Sequence, residues 1–339
     1  MAGESEVCPV ERYAPPFSID NRMLMLVAQI SEKIGKVSNY RSFETKLHLR
    51  RNNRIRSIHS SLAIEANSLS LEEVKSVIGG KTVIGPQKEI QEVKNAYRAY
   101  ETLGSFDPYS LDDLKRLHGI MTFLTVQESG IFRTQAEGVF RGSQCIFMAP
   151  PAHLVPEQMQ LLFNWMKQAR SEVHPLILSS VFHYEFVFIH PFTDGNGRMA
   201  RLWQTALLSE WNPIFQYLPI ESRIQEYQDE YYDAIASCHA AGNSNTFILF
   251  MLDKISMTLD WAMQQVSGKD AYLSAEVQKL LKIMEFDVPY TGMQLMEKLS
   301  LKSRDNFRKL YLLPALEQGL IVMGIPDKPT SRNQTYIRK

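Results

Sequence analysis

The stretch His190-Pro-Phe-Thr-Asp-Gly-Asn-Gly-Arg-Met-Ala-Arg201 places a base, a carboxylate, two glycines and two arginines within twelve residues. An apolar, helix-compatible run from Val181 to Ile189 leads in, and Met199 to Leu208 leads out, so the segment reads helix, loop, helix. Glycines at the mouth of a helix leave its unpaired N–H groups open. Gly195, Asn196 and Gly197 can therefore hold an anion, here read as a phosphate. Asp194 stands just before that helix, where a carboxylate beside phosphates holds Mg²⁺ together with their oxygens. Arg198 and Arg201 lie three apart on the helix and suit phosphate, because a guanidinium is planar and always charged. His190 stands across the loop, placed to take a proton from an attacking group. Alone, Asp-Gly-Asn-Gly is more often a turn and His-Pro a helix end; the combination with two arginines in helical phase points to a site.

This segment resembles the Fic family motif, His-Pro-Phe-x-Asp/Glu-Gly-Asn-Gly-Arg-x-x-Arg, and matches it at every specified position. The resemblance implies a helical bundle that transfers AMP from ATP to a Ser, Thr or Tyr hydroxyl of a protein target, the chain itself included. In that scheme His190 is the general base, Asp194 the Mg²⁺ ligand, Gly195 to Gly197 the anion cradle and Arg198 the γ-phosphate partner, with Arg201 in support. Phosphotransfer in the manner of Doc-like relatives fits less well, because those replace the second glycine with Lys and this chain keeps Gly197.

Further upstream, Ser61-Leu-Ala-Ile-Glu65-Ala-Asn67 resembles the family's inhibitory motif, Ser/Thr-x-x-x-Glu-Gly/Asn, departing from it at Ala66. The resemblance implies that Glu65 is delivered to Arg198 and denies it to the γ-phosphate, so that the enzyme restrains itself. Tyr231 and Tyr232 fall where a tyrosine pair contacts adenine in the family, although an Asn often found eight residues later is His239 here. From Gly130 to Pro151, the runs Ile131-Phe-Arg, Val139-Phe-Arg-Gly142 and Cys145-Ile-Phe-Met148 favour β structure and read as a hairpin. In the family such a flap lies over the site, with Gly142 assigned to the nucleotide, and its free strand edge docks the target by main-chain hydrogen bonds.

The 339 residues, 45% hydrophobic, suffice for one large core and a second small domain. Lys+Arg and Asp+Glu balance at 37 each, which argues against a chain that coats nucleic acid or an anionic membrane. Cys8, Cys145 and Cys238 lie far apart and suggest neither a disulfide framework nor a zinc site. With no basic-then-apolar leader and no run of about 18 apolar residues, a cytoplasmic protein is expected.

The expected fold is mainly α: an N-terminal helical region with the inhibitory helix (1–110), the Fic core with its hairpin flap (111–268), and a winged-helix domain (272–339). Ile19 to Ile34 and Tyr40 to Ala66 are helical by spacing. The second carries Arg50, Arg51, Arg54 and Arg56, read as a solvated face with Leu47, Ile55, Ile58 and Leu62 toward a core. Ser70 with Glu73 makes a capping box, Ser110 caps another helix, and Pro156 and Pro175 open two more. Ser222 to Ala241 reads as one helix. At the end, helices over Ser274–Met284, Thr291–Leu299 and Ser303–Gln318 precede strands at Gly319–Met323 and Thr335–Ile337, the order of a winged helix. Lys302, Arg304, Arg308, Lys309, Lys328 and Arg332 give that domain a basic face, which leaves open DNA binding through residues 303–332. A second reading follows: a DNA-binding regulator whose Fic-like core only senses nucleotide. An intact His190 favours the enzyme, because a sensor needs no base. A target protein on hairpin 130–151 is the expected partner, and homo-oligomers are compatible with the sequence.

Overall fold

A computed structural model of the chain describes residues 13–39, 47–141, 144–270, 274–285, 288–317, 319–326, 328–329 and 331–338. It divides into two compact units, one holding residues up to Asn39 and Arg50–Ala262, the other holding Leu47–Leu49 and the residues from Met263 onward. The first contains helices α1 (Asn21–Asn39), α2 (Leu47–Ile64), α3 (Leu71–Ile78), α4 (Gln87–Thr102) and α5 (Leu111–Met121). A hairpin of β1 (Gly138–Arg141) and β2 (Gln144–Met148) follows, then α6 (Val155–Ala169), α7 (Pro175–Ile189), α8 (Asn196–Trp211), α9 (Ile220–Glu226), α10 (Gln228–Ala241) and α11 (Asn245–Asp270), whose residues from Met263 belong to the other unit.

Helix α7 is buried on nearly every face from Leu176 to Phe186, as an all-round apolar helix must be. Helix α8 packs beside it, with Phe163, Phe182, Phe186, Phe192 and Trp203 wholly buried nearby. The expected punctuation holds: Ser70 and Glu73 close a capping box on α3, Ser110 caps α5, and prolines open α6 and α7. Cys238 is a free, buried cysteine, and no helix among the described residues is long and apolar enough to cross a membrane.

Two expectations about secondary structure change, and a third is described only in part. Residues 40–46 of the long inhibitory helix lie outside the described residues, and α2 is described from Leu47. It buries Ile55, Ile58 and Leu62, but also Asn53, Ser57, Ser60 and Ser61, while Arg50 lies over the Tyr217 ring at 4.4 Å. Ser222–Ala241 is two helices rather than one. They break at Tyr227 (φ −115°, ψ 41°), whose ring takes the ammonium of buried Lys254 at 3.7 Å, a tertiary contact that overrides local helical preference. Ile131 to Arg133 is not a strand, because the Arg133 guanidinium is drawn inward by backbone carbonyls.

The second unit contains α12 (Ala275–Ile283), β3 (Pro289–Thr291) and α13 (Gly292–Lys298). Helix α14 begins as an α turn at Arg304–Asn306, passes through a π-helical run at Phe307–Leu312 and ends α-helical at Leu313–Glu317. The π run has a local cause: Pro314 offers no N–H and its ring would meet the carbonyl four residues back, so the preceding turn widens. Strands β4 (Ile321–Met323) and β5 (Thr335–Arg338) complete an antiparallel sheet in the order β3-β5-β4. Strand β3 was not expected, being a three-residue piece opened by a proline. Val277, Leu280, Leu295, Phe307 and Ala315 form this unit's own core.

Candidate active site

At the end of α7 the chain leaves the helix through His190, whose backbone is left-handed (φ 51°, ψ 60°). Such a conformation is costly for a residue with a Cβ and persists only where the surroundings impose it. Arg133 does so. Its buried guanidinium donates to the carbonyls of His190 (2.7 Å), Ile189 (3.2 Å), Gln135 (2.8 Å) and Pro150 (2.6 Å). Gln135 precedes β1 and Pro150 follows β2, so a single side chain fastens the motif loop to the root of the hairpin.

His118 of α5 holds the far side of the loop. Its ring stacks on Phe192 with centroids 3.6 Å apart. Nδ1 accepts from the Gly130 N–H (2.9 Å), which leaves the proton on Nε2, and Nε2 donates to the Asp194 carbonyl (2.9 Å). Burial pushes this imidazole down to about 4, so it is neutral at pH 7. Within the loop, the Asn196 side chain accepts from Phe192 N (2.9 Å) and donates to Phe192 O (2.6 Å). Gly195 sits at φ 85°, and a Cβ there would come within 3.0 Å of Thr122. Met199 N makes the first intrahelical bond of α8, to Gly195 O at 2.9 Å. The N–H groups of Asn196, Gly197 and Arg198 thus open onto the mouth of the helix.

Around that mouth stand the charged groups. His190 Nδ1 lies 3.3 Å from the Val187 carbonyl, which can only accept, so Nδ1 carries the proton and Nε2 keeps its lone pair. Burial lowers the His190 pKa, so the free base prevails at neutral pH. The Asp194 carboxylate accepts from Gly195 N (2.5 Å) and Arg198 Nη2 (2.7 Å), with Lys88 at 3.8 Å. Burial opposes its ionisation, but Arg198, the Gly195 N–H and Lys88 together outweigh this and hold the carboxyl below the usual range. Arg198 also meets Glu92 of α4 at 3.3 Å, and its buried Nε has no hydrogen-bond partner.

Glu65 does not pair with Arg198 as expected from the sequence. Its Oε1 accepts from Arg201 Nη2 at 2.8 Å, and Arg201 also donates to Ser61 Oγ (3.0 Å) and Ser61 O (2.9 Å). The reason is geometric: Ser61 in the last turn of α2 and Glu65 just past its end face the same guanidinium, whereas Arg198 is already engaged by Asp194 and Glu92. A Cβ on Gly197 would collide with Glu65 Oε1, so the carboxylate lies over the helix mouth.

Tyr231 and Tyr232 separate. The Tyr231 ring is buried, its hydroxyl 3.0 Å from His183 Nε2, which removes it from any open cleft, while Tyr232 is 44% exposed. Gly142 lies outside the described residues. Four contributors went unread in the sequence: Lys88 and Glu92, one turn apart on an ordinary-looking α4, and His118 and Arg133. For Arg133 a signal existed, a lone Arg directly after Ile131 and Phe132.

Among the described residues no cluster of three or more His, Cys, Asp or Glu could hold a metal ion. Asp194 alone still fits Mg²⁺, which commonly takes one or two carboxylates and completes its shell with phosphate oxygens and water.

A model of the Fic/DOC family matches residues 108–208, and one for the C-terminal domain of Fic-like (filamentation induced by cAMP) proteins matches 275–337. Protein adenylyltransferase fic-1 of Caenorhabditis elegans is 28% identical over 266 residues, 74% of this chain and 49% of the relative. Protein adenylyltransferase Fic of Nematostella vectensis is 28% identical over 214 residues, 60% of this chain and 47% of the relative. The chain thus spans about half the length of the curated relatives it matches. A crystal structure of a Fic family protein from Desulfovibrio desulfuricans G20 is 40% identical and covers 96% of this chain and 98% of its own, with a TM-score of 0.74. With its motif loop, its helical fold and a relative matched from end to end, the chain belongs to the Fic family.

Proposed function

We propose that this protein is an adenylyltransferase that moves AMP from ATP onto a Ser, Thr or Tyr hydroxyl of a protein, itself included, and that Glu65 restrains it. The observation that carries this is the pairing of a free base with an anion cradle: His190 Nε2 keeps its lone pair while the N–H groups at the mouth of α8 lie one short loop away. The adenylyltransferase names of the curated relatives support the same reaction.

In this reaction the target hydroxyl oxygen bonds to the α-phosphorus as the bond from that phosphorus to the bridging oxygen breaks. Pyrophosphate departs, and His190 Nε2 takes the hydroxyl proton. The helix mouth and Arg198 hold the phosphates, and the unpartnered Arg198 Nε suits a phosphate oxygen. Asp194 would hold Mg²⁺, which when bound neutralises phosphate charge. Arg201 supports the site, and Tyr232, exposed at its edge, remains available to the base of the nucleotide. The β1–β2 hairpin, fastened by Arg133, offers a strand edge on which a target segment docks. The order of elements in the second unit supports a winged-helix domain.

Restraint follows from position. A carboxylate over the helix mouth and bound to Arg201 occupies the place an anion would take. The DNA-binding alternative explains a nucleotide cradle but gives His190 nothing to do.

The test is incubation of the whole chain with α-labelled ATP. Label should enter the protein, more so in Glu65→Gly, and His190→Ala should lose about 10²-fold or more of the rate while still binding ATP. Transfer of label from γ-labelled instead of α-labelled ATP would overturn the assignment.

A further inference from the structure

The second unit carries a groove of about 520 Å³ that the proposed reaction does not use, and all of its lining belongs to residues 291–336. It is lined by α14, by Met293 and Met296 of α13, and by Met323, Arg332, Gln334 and Tyr336. Charge and apolar surface are sorted along it. Arg304 and Arg308 line it from the start of α14 and Arg332 from the connection, whereas Leu312, Leu313 and Leu316 line it from the later half of the helix. The three guanidinium groups make no ion pair among the described residues. Asp305 is the one acid in the lining, which leaves two net positive charges. Met293 and Leu313 are 80% and 38% exposed, a considerable apolar surface for so small a unit. The π run at Phe307–Leu312 supplies Phe307, Arg308 and Leu312 to the lining, and such runs recur at functional sites.

We infer that this groove docks an acidic amphipathic segment of another protein, with its apolar side chains against Met296, Leu313 and Leu316 and its carboxylates toward Arg304, Arg308 and Arg332. Charge complementarity selects this occupant. Duplex DNA would satisfy the arginines but press hydrated phosphates against thioether and aliphatic carbon, which gain nothing from them. An acidic amphipathic helix or strand uses both halves, and methionine walls adapt to its side chains. The surface lies wholly outside the AMP-transfer machinery and does not depend on it.

The test uses the full chain, a phage-displayed random 16-residue peptide library, and a labelled duplex DNA in parallel. Selection should enrich peptides with two or more apolar residues at helical or alternate spacing next to Asp or Glu. The best synthetic peptide should lose roughly ten-fold or more in affinity on Leu313→Asp and, separately, on Arg308→Glu. Both sites are exposed, and an unchanged melting curve confirms each fold. Enrichment of nothing, or of peptides without acidic residues, overturns the inference, as does a selected peptide indifferent to both variants. Duplex binding that the same variants abolish and that displaces the peptide would assign the groove to DNA instead.

Discussion

Replacing Glu65 by Gly should raise automodification, by an amount the structure bounds. The contact removed is one charge-assisted hydrogen bond, Glu65 Oε1 to Arg201 Nη2 at 2.8 Å, between a guanidinium 1% exposed and a carboxylate 37% exposed. Bonds of this type contribute about 1.5–3 kcal/mol, and partial exposure places this one in the lower half of that range. About 1.5–2 kcal/mol corresponds to roughly a 10- to 30-fold gain in the fraction of protein with an open cradle. Arg198 keeps its contacts to Asp194 and Glu92 in the variant, so the gain should not exceed what freeing Arg201 and the helix mouth provides. Glu65→Gln keeps an acceptor oxygen but no charge and should fall between wild type and Glu65→Gly. In Glu65→Gly with Arg201→Ala the gain should shrink to what clearing the helix mouth alone provides, because the guanidinium Glu65 holds is gone, and the two changes should be non-additive. Initial rates of label uptake from α-labelled ATP, beside a nucleotide-binding measurement, read all three variants. A Glu65→Gly rate within two-fold of wild type, with nucleotide affinity unchanged, would refute the latch.

Three other outcomes are expected. Ala66 adopts φ 63°, the left-handed region that a glycine enters freely, so Ala66→Gly should stabilise the fold by about 0.5–1 kcal/mol in urea unfolding despite the looser unfolded chain. Because burial lowers the His190 pKa, kcat/KM should stay level from neutral pH upward and fall only below the ordinary histidine value; a fall beginning above pH 7 would count against His190 as the free base. His118 is held near 4 against 6.5 unfolded, so its contribution is fully present above pH 6.5 and is lost as pH falls to about 4, on the order of 3 kcal/mol. Glu185, raised to about 7 by burial, acts in the opposite sense between 4.5 and 7, so the informative quantity is the stability difference between wild type and His118→Gln. That difference should fall as the solution is acidified from pH 6.5 to 4, and a flat difference would exclude a neutral buried His118.

Much of the site could be read from sequence because its chemistry is contiguous. His190 to Arg201 is one loop and one helix turn, so spacing alone places base, cradle and arginines together. What spacing could not assign is which arginine Glu65 reaches. Arg198 and Arg201 differ by three residues, nearly one turn, and the choice between them depends on Glu92, a carboxylate of α4 that nothing in its own neighbourhood marks. The same holds for the roles of His118 and Arg133, even though a lone Arg beside Ile131 and Phe132 is visible in the sequence. Each acts through backbone groups, Arg133 on four carbonyls and His118 on the Gly130 N–H and the Asp194 carbonyl, and a backbone group leaves no trace in the sequence. The hairpin was located, but Ile131 to Arg133 was assigned to it because β propensity cannot register that a guanidinium is satisfied inside. In the second unit the helices and two strands were legible, whereas the π run needed Pro314 to be weighed against the helix it interrupts.

The face by which α2 holds Glu65 in place was the least legible feature, and it explains how a single carboxylate can find a single guanidinium. Serines and an asparagine at 53, 57, 60 and 61 look like a solvated stripe, yet all four are buried. Asn53 donates to the Tyr217 carbonyl (3.0 Å), Ser57 donates to Glu221 (2.7 Å), and Ser60 meets Ser222 (3.1 Å). Tyr100 donates to the other Glu221 oxygen (2.8 Å), and Gln228 donates to the Ile64 carbonyl (3.2 Å). Each such bond adds only about 0.5–1.5 kcal/mol net, but displacing it strands a buried polar group at about 1–3 kcal/mol. An apolar interface tolerates sliding; this one penalises it at every contact. Helix α2 is therefore held in one register, and the position of Glu65 over the mouth of α8 is fixed by groups that never touch it.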